Sequence, residues 1–159
     1  MKMSKTRATV FVGTVAAIYA VLSLMPGLSA LSFGPVQLRV AEALCALALL
    51  TPWAIPALTL GCFLTNLASP MMAVDLPFGT LATLLAVIFT YLLRKKPWIA
   101  LLMPVISNGL IIGSIISFYT DSQFGLITNM LLVSVGEAAA CYLFGLPLYK
   151  ACKRFFIEI

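Results

Sequence analysis

Residues 43–74 read ALCALALLTPWAIPALTLGCFLTNLASPMMAV, and this stretch decides the fold. It carries no charged residue. As a single helix it would measure about 48 Å at 1.5 Å per residue, far longer than a hydrocarbon core of ~30 Å, and Pro52 and Pro56 interrupt its middle. The chain must therefore fold back on itself. The reading is two short helices, 39–51 and 55–69, turning at Thr51-Pro52-Trp53, with Trp53 as an interfacial anchor.

Outward from this hairpin the same texture continues. The runs 8–38, 76–93, 97–120, 122–136 and 138–149 are also free of charge. Of 159 residues, 62% are apolar, ten are Lys or Arg and five are Asp or Glu, whereas about a quarter of a soluble domain is charged. The expected fold class is an all-α membrane protein, a single domain over 1–159. Helices at 8–24 (ended by Pro26-Gly27), 78–93, 98–119 and 125–149 join the hairpin to make six transmembrane helices. No small-x-small cleavage site follows a short apolar region near MKMSKTR, so the first helix is read as retained.

Charge placement supports that count. With N- and C-termini cytoplasmic, Lys2, Lys5, Arg7, the Arg94-Lys95-Lys96 loop, Lys150, Lys153 and Arg154 all fall inside, and Arg39 alone among the basic residues falls outside. Merging the hairpin into one span would move Arg94-Lys95-Lys96 to the opposite side. Asp75 and Asp121 fall in outer loops on this reading.

Several function classes drop out early. There is no His and no G-x-x-x-x-G-K-[ST] phosphate loop, which argues against histidine metal sites, histidine acid/base catalysis and ATP hydrolysis by this chain. Cys45, Cys62, Cys141 and Cys152 lack C-x-x-C spacing and read as small packing residues. The +5 net charge reports topology rather than a nucleic-acid partner, because no basic helix or aromatic-basic pattern accompanies it.

The short helices predict where polar chemistry sits. Helices of about 13 residues reach only ~20 Å, so their outer ends lie below the membrane surface, and Phe33-Gly34-Pro35-Val36-Gln37 dips into the bundle. Gln37, Arg39, Glu42, Asn66 and Asn129 flank the resulting outward pocket, with Asn108 and Glu137 deeper. A carboxylate at mid-membrane costs about 2.5–3.5 kcal/mol on insertion scales, so Glu137 is expected to face a cavity or a partner. Packing roles compete at each position: Arg39 and Glu42 at i,i+3 can satisfy each other, and the asparagines can bridge helices. Small residues Gly13, Ala16, Ala17, Ala20 and Ser23 line helix one, suiting close approach by a helix of this bundle or of a second protein.

Three segments carry a family likeness: FGPVQLRVAEALCALALLTPWAIPALTLGCFLTNL (33–67), VDLPFGTLATLLA (74–86) and MPVISNGLIIG (103–113). The chain resembles, along essentially its whole length, the QueT queuosine precursor transporter family, whose members are S components of energy-coupling factor (ECF) importers. The resemblance implies an S-component bundle in a bacterial cytoplasmic membrane, not an enzyme. It implies binding of queuine or a 7-cyano or 7-aminomethyl 7-deazaguanine, association with an EcfT transmembrane subunit and two EcfA-type ATPases that use the ATP, and no cofactor in this chain. Ala16 and Ala20 match the family's A-x-x-x-A motif for EcfT. Such a base suits a carboxylate from Glu137 or Glu42 and an amide from Asn108 or Gln37, with Phe33, Phe78, Phe118 or Tyr119 for stacking. The alternative is a stand-alone proton-coupled secondary transporter using Glu137 and Glu42, against which stands the lack of an obvious repeat of two halves. A small intramembrane enzyme has least support, for want of a paired nucleophile and base.

Overall fold

The computed structural model describes residues 4–33, 37–119 and 124–157. Among the described residues the chain is helical, without strands. Helix α1 (Lys5–Leu24) begins where the Ser4 side chain accepts the Arg7 amide and ends before Pro26 and Gly27, whose φ of 89° turns the chain into the short α2 (Leu28–Ser32). The hairpin follows. Its first arm, Val40–Leu49, is wound as a 3₁₀ helix and its second, α3, is Ala54–Asn66. Between them the Thr51 hydroxyl accepts the Trp53 amide at 3.4 Å. The expected turn at Thr51-Pro52-Trp53 is thus present, and each arm extends about 20 Å.

Three long helices complete the chain: α4 (Met72–Leu92), α5 (Pro97–Tyr119) and α6 (Leu126–Arg154). With α1 they are, among the described residues, the four helices long and apolar enough to cross a membrane; the two hairpin arms are shorter apolar helices. Two expectations change here. Helix α4 starts well before residue 78, because Pro77, which has no amide hydrogen to give, is absorbed in a π-wound turn, Asp75–Gly79. Asp75 therefore lies within a helix, buried, and not in an outer loop. Helix α6 runs past residue 149 through Lys150 and Lys153, long side chains that reach polar surroundings from a helix end. Asp121 and Gly34-Pro35-Val36 lie outside the described residues.

Packing proceeds by close helix pairs. Helices α1 and α3 meet at Gly61, where an added Cβ would fall 2.7 Å from Tyr19 Cβ and 3.0 Å from the Ala16 carbonyl. Helices α5 and α6 meet at Gly113, where a Cβ would fall 2.5 Å from Met130 Cα. The 3₁₀ helix is buried from Ala41 to Leu49, apolar all round apart from Glu42. It packs between α1, α4 and a second π-wound stretch of α6, Ala139–Gly145. The core around it includes Tyr19, Cys45, Leu58, Cys62 and Val87.

Candidate functional site

Glu42 is fully buried on the 3₁₀ helix, and its carboxylate is ringed by donors. The Tyr19 hydroxyl of α1 donates to Oε1. The Cys45 thiol donates to Oε2 at 3.0 Å, and the Thr83 hydroxyl of α4 lies 3.4 Å from Oε1. With both oxygens engaged by the protein, Glu42 fastens three elements together.

A second hub is Cys62 of α3. Its sulfur accepts from Arg39 Nη1 at 3.8 Å, Asn66 Nδ2 at 3.3 Å and Thr83 Oγ1 at 3.2 Å, and its thiol faces the Gly79 carbonyl at 3.6 Å. The sequence reading of Cys62 as mere packing is corrected: it joins α3 to α4 and holds the Arg39 guanidinium, which also lies 5.6 Å from the Phe33 ring centre. Gln37, just before it, is buried with φ of 44°, a left-handed conformation uncommon for a side-chain-bearing residue.

The deeper pair is differently placed. Asn108 of α5 and Glu137 of α6 are each 3% exposed and lie beside one another, with Glu42 and Arg39 within electrostatic reach of Glu137. Yet Asn108 Nδ2 and Glu137 Oε2 are buried without a hydrogen-bond partner. A buried polar atom left in this state costs about 1–3 kcal/mol, so a donor and an acceptor held side by side are the chemistry of a binding edge. The structure brings Glu137, Asn108, Arg39 and Glu42 into one interior region.

Asn66 adds a third unpartnered atom, Oδ1, at a position with no exposure. Asn129 belongs elsewhere: its amide donates to Ser117 Oγ at 2.9 Å and to the Phe124 carbonyl at 3.1 Å, tying the α5–α6 connection. Of the four aromatic candidates, Phe78, Phe118 and Tyr119 are exposed on the outside of the bundle, and Phe33 alone is half-buried beside the polar cluster. Ala16 is 1% exposed and packed on Gly61, so it serves the α1–α3 contact; Ala20 is half-buried.

Sequence reasoning missed Tyr19 and Thr83. Tyr19 is grouped with the hydrophobic residues by composition, and the signal for it is a hydroxyl amid small residues in mid-helix. Among the described residues no group of three His, Cys, Asp or Glu side chains is arranged to hold a metal ion.

A relative from Lactococcus lactis subsp. cremoris (strain MG1363), called queuosine precursor transporter QueT, is 45% identical over 84 residues, which is 53% of this chain and 49% of that protein. The aligned part thus spans about half the length of this curated relative. No solved structure matches. The family model described as QueT transporter matches residues 9–154. This multi-pass helical chain belongs to the QueT transporter family.

Proposed function

We propose that the chain is the substrate-binding S component of an ECF importer and takes up a queuosine precursor, a 7-deazaguanine base, across a bacterial cytoplasmic membrane. The observation that carries this reading is the unpartnered pair Asn108 Nδ2 and Glu137 Oε2, side by side in the bundle interior. A deazaguanine presents a ring N–H and an exocyclic amine beside a carbonyl oxygen. Glu137 accepts the two donors and Asn108 donates to the carbonyl, which satisfies both atoms of that pair.

In this reading the two short hairpin arms are membrane-inserted with the four long helices, giving six spans with both termini in the cytoplasm. The basic residues at the ends of α1, α4 and α6 support that orientation. The chain has no phosphate loop, so the energy comes from an EcfT subunit and two EcfA-type ATPases that use ATP.

Calorimetry of the ligand-depleted protein in detergent tests the reading. Saturable binding of queuine, 7-cyano-7-deazaguanine or 7-aminomethyl-7-deazaguanine is expected, and Glu137→Gln weakens it by more than about tenfold. Absence of binding by all three bases would overturn the substrate assignment. Uptake by proteoliposomes holding this chain alone, driven by a pH gradient, would replace the importer subunit with a proton-coupled transporter.

A further inference from the structure

The mechanism proposed above leaves Asp75 and Asn66 unused. Both are buried, and they sit against each other: Asn66 Nδ2 donates to the Asp75 main-chain carbonyl at 2.9 Å, and the Ser69 hydroxyl donates to Asp75 Oδ2. Because that main-chain carbonyl can only accept, the orientation of the Asn66 amide is set. Its nitrogen is engaged there and near Cys62 and Thr80, and its oxygen is left without a donor in a fully enclosed position. A bare, enclosed carbonyl oxygen on the side chain that holds the Asp75 backbone is an incomplete site, and what it lacks is a hydrogen-bond donor.

The backbone is shaped to make this juncture. The π-wound turn Asp75–Gly79 carries Asp75 inward at the start of α4, and such turns are frequent at functional positions. Gly79 closes the same turn, and a Cβ there would stand 2.8 Å from Asn66 Nδ2, so only glycine admits the asparagine. That point also lies 3.7 Å from Ile112 Cδ1, one turn along α5 from Asn108. The Asn66 amide therefore lies near the Ile112 side chain, whose residue is one helical turn, about 6 Å, along α5 from Asn108.

Charge points the same way. Among the described residues the buried charged side chains are Arg39 on the positive side and Glu42, Asp75 and Glu137 on the negative. A low-dielectric interior with excess carboxylate favours a cationic occupant.

We infer that Asp75 and the Asn66 carbonyl oxygen form a subsite for a protonated amine carried on the 7-substituent of the bound base. The inference rests on the deazaguanine reading of the pocket. With the pairing edge on Glu137 and Asn108, the arm at the 7-position extends along α5 toward Asn66. An ammonium gives one N–H to Asn66 Oδ1 and another to the Asp75 carboxylate; a nitrile in that place has no donor to offer either acceptor.

The test is calorimetric titration of the full chain in detergent with 7-aminomethyl-7-deazaguanine and 7-cyano-7-deazaguanine. The wild type is expected to bind the aminomethyl base at least about tenfold more tightly. Asp75→Asn is expected to remove most of that preference while leaving the cyano base within about threefold, so retained cyano binding also reports that the variant is folded; Asp75→Glu restores part of the preference. If Asp75→Asn does not fold, the wild-type ratio decides. Equal or tighter wild-type binding of the cyano base, or an unchanged ratio in folded Asp75→Asn, overturns the subsite alone. Failure of both bases to bind brings down the deazaguanine reading itself, and the subsite with it.

Discussion

The Tyr19 hydroxyl donates to Glu42 Oε1, joining the first helix to the 3₁₀ helix at the centre of the bundle. Both residues are fully enclosed, and Arg39, Cys62 and Thr83 crowd the same point. This contact couples a membrane-facing helix to the polar interior, and its removal is the most direct probe of what the network contributes.

Tyr19→Phe keeps the ring that packs on Gly61 and deletes the donor. Glu42 Oε1 then keeps only the longer contact from Thr83, and a loss of about 1–3 kcal/mol is expected. Thermal unfolding in detergent should show a lowered midpoint. An unchanged midpoint would mean that the hydroxyl contributes nothing to the fold.

Glu137 and Asn108 are expected to act as one unit. In a double-mutant cycle with Glu137→Gln and Asn108→Ala, ligand binding should show a coupling of about 0.5–3 kcal/mol, because each variant spoils the same recognition edge. Strictly additive losses would place the two residues in separate contacts.

Gly113→Ala drives a methyl group into Met130 backbone, and Asn108 and Glu137 ride on the two helices it would push apart. Stability should fall by about 1–3 kcal/mol, with weaker ligand binding alongside. Gly13→Ala is the control: Gly13 has open space around its Cα, so the change should leave stability equal or raised by roughly 0.5–1 kcal/mol through helix propensity.

Thiol labelling separates the cysteines. Cys45, Cys62 and Cys141 are buried and Cys152 is partly exposed. A maleimide should modify the native protein at one site, lost in Cys152→Ala, and reach the other three only on unfolding. A membrane-impermeant reagent should label Cys152 in inside-out vesicles and not in right-side-out ones; the reverse pattern would invert the orientation of α6.

The fold was legible where length and proline left one solution. Pro52, Pro56 and a charge-free run too long for one helix force the hairpin, and a carboxylate and an amide in apolar helices mark Glu137 and Asn108. Asp75 reads as an outer-loop residue because the expected helix begins at 78, whereas a π turn takes in Pro77 and carries the helix back past Asp75. Tyr19 and Cys62 were hidden because burial makes hydrogen-bonding groups of residues that composition scores as greasy. Ala16 is ambiguous in sequence, since small residues suit any close neighbour, and in the fold it lies against Gly61 of the same chain.

The winding of Val40–Leu49 has a geometric consequence of its own. Three residues complete a 3₁₀ turn, so Glu42, Cys45 and Ala48 stack in a straight column, where an α-helix would skew each successive member by about 60°. That alignment lets the Cys45 thiol reach back to Glu42, and it clears a single uninterrupted flank of alanine and thiol for the facing helices. Relaxing these ten residues into α geometry would also draw the segment in by about 5 Å and swing the carboxylate off the Tyr19 hydroxyl, so the tight coil works as a spacer that holds one acid at a defined depth.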